Sequence, residues 1–216
     1  LSERPARSAA RASEPAAEVL LALAVCGALD PARVAAVTGL PGDDAVALLD
    51  ELRAAGRIAV ADAPRGAASL TAAGRAASER AFHRERDDLG SDVASLYGRF
   101  RTLDRDLKEA ITRWQVRTVG GVQIPNDHRD PTHDAAVVAD VCELGRAAVA
   151  WIGPLARRRT RYRRYGDRLA TAVARIEGGE VGWIAGIGVD SLHTVWWQLH
   201  GDLLGVLGRT RAASDA

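Results

Sequence analysis

Apolar and polar positions follow two different rhythms along this chain. From Glu14 to about Arg80, short blocks of helical periodicity are cut by caps and turns. EPAAEVLLALAVCGAL predicts a first helix and DPARVAAVTGL a second, with Asp30 as its N-cap and Pro31 at the first helical position. LPGDDAVALLDELRAAG predicts a third, opened by Pro41 and Gly42 and closed by Gly56. RIAVAD and ASLT flank the turn APRG, which is a hairpin signal, and TAAGRAASERAFHRER resumes the helix with Thr71 as cap. From Asp92 onward the pattern is helical throughout. Leu96, Phe100, Leu103, Leu107, Ile111 and Trp114 recur at three- and four-residue steps, as do Val137, Val141, Leu144, Ala148 and Trp151. Tyr162, Tyr165, Leu169, Val173 and Ile176 form a third set, and a fourth helix follows from about residue 190. Gly120-Gly121 with Pro125, Gly153-Pro154 and Gly178-Gly179 punctuate them, so four helices in a bundle are expected. The division expected is 1–13 as a disordered arm, 14–88 as a first domain and 89–216 as the bundle.

The last of these helices, DSLHTVWWQLHGD, has an unusual back face. At about 100° per residue, Leu192, Val195, Trp196, Leu199 and Leu203 share one broad side. Asp190, His193, Trp197 and His200 gather on the opposite one, where a surface helix normally carries Glu, Lys or Arg. Packing inside a bundle with satisfied polar atoms is one explanation. A polar pocket is the other.

Composition narrows the field. The chain has 216 residues, 47% hydrophobic and 26% charged, with a net charge of +1, as in an ordinary globular protein. Lys108 is the only lysine beside many arginines, a bias that reads as genomic. Cys26 and Cys142 stand far apart with no zinc spacing, which argues against a disulfide framework or a structural metal and fits a reducing cytoplasm. The longest apolar run, Val19 to Leu29, is too short to span a bilayer, so no membrane association is expected.

The stretch LLDELRAAGRIAVADAPRGAASLTAAGRAA resembles the winged helix-turn-helix domain of bacterial regulators of the MarR and PadR type. The likeness rests on Leu48, Leu49 and Leu52 before Gly56-Arg57-Ile58, and on Leu70-Thr71 before Gly74. It implies a mainly α fold: a winged helix-turn-helix with a small β-wing, followed by the four-helix bundle. It also implies a third helix that enters the DNA major groove, with Arg53 and Arg65 as the DNA-contacting residues. Yet that helix carries Asp43, Asp44, Asp50 and Glu51. Over Glu14–Arg80 six Arg face nine Asp or Glu, an acidic balance that counts against DNA as partner. A homodimer would present these charges differently. The C-terminal half is similar, through WQVR, PNDH and DSLHTVWWQLHGDLL, to a helical domain of actinobacterial proteins. That domain follows a winged-helix segment and is sometimes associated with pyruvate, phosphate dikinase-like proteins.

The loop TVGGVQIPNDHRDPTHD is dense in groups that titrate or hydrogen-bond, and Asp130-Pro131 reads within it as a helix cap. If this loop meets the last helix, Asp127 and His128 face Asp190, His193 and His200 as acid/base candidates. Trp114, Gln115, Asn126 and Trp197 would then line the ligand. No metal or cofactor is assigned. His193 and His200 lie two helical turns apart, roughly 10 Å, too far to share one ion. In ARRRTRYRRYGDR, Arg157, Arg161, Arg164 and Arg168 form a stripe, of which Arg161 and Arg164 are candidates for an anionic ligand, unless the stripe is simply a solvated face. Two readings stand: a ligand-responsive regulatory protein that binds a small organic molecule in its bundle, or a small-molecule enzyme of specialised metabolism whose winged helix is structural.

Overall fold

The computed structural model describes residues 4–61 and 66–210, with side chains from residue 15. Arg65 lies outside the described residues. The protein is mainly helical. It divides into two compact units, residues 1–91 with 201–216, and residues 92–200.

In the first unit, α1 (Arg4–Cys26), α2 (Pro31–Thr38) and α3 (Gly42–Ala54) precede β1 (Ile58–Val60), β2 (Ala68–Leu70) and the start of α4 (Ala72–Gln115). Local chemistry sets these boundaries. Asp30 accepts from the Arg33 N–H at 2.8 Å and Pro31 opens α2. The Thr71 hydroxyl accepts from the Gly74 N–H at 3.1 Å to cap α4. Strands β1 and β2 pair antiparallel, with Ile58 opposite Leu70, and Ala68 exchanges two further backbone bonds with Leu29. Val19, Leu20, Leu23, Val34, Leu49, Leu52 and Ile58 form the core beneath them. The backbone is helical from Arg4, through much of the stretch read as a disordered arm, because Ala and Arg are strong helix formers. Helix α4 runs unbroken to Gln115, and the division between the compact units falls within it, after residue 91.

The second unit contains the rest of α4, β3 (Val116–Val119), β4 (Val122–Pro125), α5 (Pro131–Arg158), α6 (Thr160–Glu177), a 3-10 turn at Val181–Trp183 and the start of α7 (Leu192–Leu207). Phe100, Leu107, Val141, Ile152, Leu169, Leu192 and Leu199 are buried within it, an arrangement compatible with a helical bundle. Gly145 of α5 permits a close approach, for a Cβ there would lie 2.5 Å from a methyl of Val173. Gly153-Pro154 does not separate two helices as the sequence suggested. Helix α5 runs through Pro154 and ends only where Arg159 becomes extended (φ −141°, ψ 130°), so α6 opens at Thr160. Part of the expected polar loop is a hairpin as well, with β3 and β4 joined by Gly120-Gly121 at φ 58° and 82°. Two positive φ values in a two-residue turn match the right-handed twist of the strands.

Candidate functional site at the hairpin and helix α5

The hairpin returns the chain to the end of α4 and delivers Asn126 beside Trp114. The Asn126 N–H donates to the Gln115 carbonyl at 2.8 Å, and its Nδ2 donates to the Trp114 carbonyl at 3.0 Å and to Asp134 Oδ1 at 2.9 Å. Its Oδ1 accepts from the His128 N–H at 3.2 Å. Asn126 is thus a buried bracket between the end of α4 and the first turn of α5. Asp130 caps α5 by accepting from the His133 N–H at 3.0 Å, and Arg117 of β3 bonds the other Asp130 oxygen at 2.9 Å. That cap places Asp134 on the first turn of α5, facing the bracket.

His128 is the centre of this arrangement. Its ring lies 4.3 Å from that of Trp114, and its Nδ1 lies 3.0 Å from Asp134 Oδ2. Among the described residues it is the only non-glycine residue with a positive φ, 56°. Such a backbone costs some strain and persists where surrounding bonds hold it. The network also assigns the tautomer. Asn126 Nδ2 has two hydrogens, taken by Trp114 O and Asp134 Oδ1. An unprotonated Nδ1 would set its lone pair against the Asp134 carboxylate, so Nδ1 carries the proton and donates to it. That leaves Nε2 as the basic atom of a half-exposed imidazole whose partner carboxylate is only 18% exposed. Hydrogen bonding from Asn126 holds the Asp134 carboxyl below the usual carboxylate range, and His128 adds to the effect. The His133 backbone bond does the same for Asp130, aided by Arg117. A carboxylate-oriented imidazole with one nitrogen left as acceptor can take a proton or a hydrogen bond from a bound molecule.

The other candidates are placed differently. Asp127 is exposed, accepts from the Arg129 N–H at 3.2 Å and sits 3.9 Å from Arg117, so it shapes the turn. Gln115 is exposed and contributes its carbonyl. The last helix is split by its environment. His200 is 4% exposed and is a core residue, not an accessible base; its Nε2 meets the Tyr97 hydroxyl at 3.1 Å, and its ring packs 4.8 Å from Phe100. Its neighbour Trp196 donates Nε1–H to the buried Asp104 at 2.9 Å, and Lys108 holds the other Asp104 oxygen at 2.8 Å. Trp197 remains 45% exposed. His193 is exposed on one side, and lost hydration followed by the charge of Lys108 holds its imidazole below the ordinary value.

Asp190 is engaged by α6. Its carboxylate takes a two-pronged bond from Arg168 at 2.8 and 2.9 Å, and Arg168 also bonds Gln198 at 2.6 Å. The arginines of the stripe differ in their settings. Arg161 is buried at 6% exposed and lies over the Tyr162 ring, Arg164 is half-buried, and Arg168 is a structural tie. Guanidiniums on long stems can face inward where rings and carboxylates receive them. In the first unit Arg53 is exposed but pairs with Asp50 of the same helix at 3.0 Å. Asp134 is the residue that sequence reasoning left out of the site. Its signal was an acid in the first turn after the Asp130-Pro131 cap, six positions beyond His128.

Among the described residues no group of three or more His, Cys, Asp or Glu side chains is arranged to hold a metal ion, and no helix is long and apolar enough to cross a membrane. No family model, curated protein or solved structure matches the chain.

Proposed function

We propose that the protein is a ligand-responsive regulatory protein, built from a winged helix-turn-helix of the MarR and PadR type and a four-helix bundle, and working in the cytoplasm. Its ligand is a small planar organic molecule with an exchangeable N–H or O–H. The ligand seats at the hairpin and α5, beside Trp114, and not in the aromatic core around His200. One observation carries this reading: an imidazole oriented by Asp134, packed at a tilt against Trp114 and held on a strained backbone. Support for the winged helix is the order of α2, α3, β1 and β2 with the Leu29 bridge to Ala68. The exposed side of α3 carries Asp43, Asp44, Asp50 and Glu51, and its Arg53 is already paired, which favours an output through protein contact over duplex binding.

The test is a fluorescence and melting screen of the full chain against small phenols, hydroxypyridines and purines. A binder should change tryptophan emission, lose that signal in Trp114→Phe, and bind about ten- to a hundredfold more weakly in His128→Gln, the range for losing a hydrogen bond to a charged or basic group. A panel that changes neither emission nor melting, or a binder indifferent to both substitutions, overturns the reading. A second reading, an enzyme of specialised metabolism, is favoured by the same Asp134–His128 geometry, since an imidazole backed by a carboxylate is a general base near neutral pH. Turnover of a bound compound, abolished in His128→Gln, would select it.

A further inference from the structure

We propose that the seam between α4 and the first half of α7, in the second unit, is a docking ridge for single-stranded nucleic acid. Its cations are Arg101, Arg105 and Lys108 of α4, and its rings are Trp197 and His193 of α7; all five residues are exposed. The ridge lies wholly within residues 92–200, so it is independent of the helix-turn-helix order of the first unit. It does not depend on the site at the hairpin either.

The placement of the charges is the first observation. His200 meets Tyr97 and Trp196 meets Asp104, so α7 runs antiparallel to this part of α4. Trp197 therefore emerges between the levels of Tyr97 and Asp104, at the turn of α4 that carries Arg101. Arg101, Arg105 and Lys108 are spaced i, i+4 and i+7, so they share one side of α4 over roughly 10 Å. Like charges at that spacing repel along a helix, and an anion laid across them relieves the repulsion. Arg101 has no hydrogen-bond or ion-pair partner among the described residues. Arg105 bonds the adjacent Asp106 at 2.9 Å, an exposed pair of a kind that contributes little and exchanges readily. Lys108 holds Asp104 at 2.8 Å, but its side chain is 54% exposed and an ammonium has more than one N–H to give.

The second observation is the rings among these cations. Trp197 is 45% exposed although Trp196 and Gln198 on either side are buried. A surface helix ordinarily carries Glu, Lys or Arg at such a position. His193 lies one turn earlier on the same side of α7. Lost hydration, followed by the charge of Lys108, holds its imidazole below the ordinary value, so at neutral pH it is an uncharged ring. An acidic protein segment would use the cations and leave the indole in water. Duplex DNA brings phosphates, but its bases are stacked inside and withhold their faces. A single strand uses the whole ridge: its phosphates meet the guanidiniums and the ammonium, and an unstacked base lies on Trp197. Contacts of this kind tolerate any sequence, because every base has a π-face.

The experiment is fluorescence anisotropy of a dye-labelled oligothymidylate titrated with the full chain, beside a duplex of equal length and with poly-glutamate as a competitor. The single strand should bind saturably with a dissociation constant of about 10⁻⁴ to 10⁻⁶ M, and the duplex at least about fivefold more weakly. Trp197→Leu should weaken the single strand about tenfold, while Trp197→Phe, which keeps a ring, should retain most of the affinity. Arg101→Gln with Arg105→Gln should lower the slope of log affinity against log salt by about 1.4. The melting temperature of that variant should hold, because exposed arginines cost little to remove. Arg53→Gln in the first unit and His128→Gln should leave the binding unchanged. The proposal is overturned if the single strand gives no saturable signal, if Trp197→Leu or the arginine pair binds as well as the unaltered chain, or if Arg53→Gln removes the binding. Poly-glutamate competing as well as unlabelled oligothymidylate also overturns it, for the ridge would then seat acidic proteins and the indole would take no part.

Discussion

Replacing Trp196 by Phe should cost far more than the same change at the adjacent Trp197. Trp196 is 2% exposed and gives its Nε1–H to Asp104, itself 8% exposed, at 2.9 Å. Phenylalanine keeps an aromatic ring against Phe100, now stacked at 4.7 Å, but removes the donor and part of the indole volume. A hydrogen bond to a charged group is worth about 1.5–3 kcal/mol. The space left by the smaller ring adds about 1 kcal/mol. The Lys108 bond to the other oxygen limits the penalty on Asp104, so the sum is about 3 kcal/mol. With a urea dependence of about 2 kcal/mol per molar, the midpoint followed by far-ultraviolet circular dichroism should fall by about 1.5 M at unchanged slope. Trp197→Phe, at a site 45% exposed, should cost less than about 1 kcal/mol. Equal losses at the two positions, or a loss below about 1 kcal/mol at Trp196, would refute the assignment of Asp104, Trp196 and His200 to a structural core.

Three further outcomes are expected. Arg168→Ala should cost about 3 kcal/mol in chemical denaturation, because it leaves the Asp190 carboxylate, 19% exposed, without the guanidinium that neutralises it. Gly145→Ala should cost about 1–3 kcal/mol by overpacking, its new methyl lying 2.5 Å from Val173, and a neutral result would show that α5 and α6 can separate there. Stability should also fall in two acid steps. His193 is held below its ordinary pKa of 6.5, so the unfolded chain binds the proton more readily and stability declines as pH drops below that value; His193→Gln should remove this step. Asp130 and Asp134 are held below 3.8, so the stability they contribute is present above that value and drains away as pH falls through their lowered range. Asn126→Ala should move the Asp134 midpoint, followed by carboxyl-carbon NMR, back towards 3.8.

What the sequence showed clearly was chemistry confined to a few neighbouring residues. The caps at Asp30, Thr71 and Asp130 and the β1–β2 hairpin are local, and they form where the residues indicate. The apolar face of Leu192, Val195, Trp196 and Leu199 is buried for the same reason. Tertiary partners were not legible. Periodicity sets His200 beside His193 and Trp197, yet Tyr97 and Asp104, about a hundred positions earlier, draw His200 into the core. Arg168 read as one member of a basic stripe until Asp190, 22 residues on, received it. The β3–β4 hairpin has a local signal as well, because VRTV and VQIP, rich in β-branched residues, flank a two-residue Gly-Gly turn. At the candidate site Trp114, Asn126 and His128 were visible as a cluster of unusual residues. Their link to Asp134 depends on how the hairpin meets α5, which spacing alone does not give.

The most direct test of the site is the tautomer of His128, read by long-range proton–nitrogen correlation NMR of the full chain labelled at histidine nitrogens, with His128→Gln to assign the signals. At a pH where the ring is neutral, Nδ1 should appear as the protonated nitrogen, bonded to Asp134, and Nε2 as the bare one. Asp134→Asn should release that preference. A neutral His128 protonated at Nε2, with Nδ1 instead accepting from the Asn126 amide 3.2 Å away, would contradict the site, for it would leave no basic nitrogen to meet a ligand.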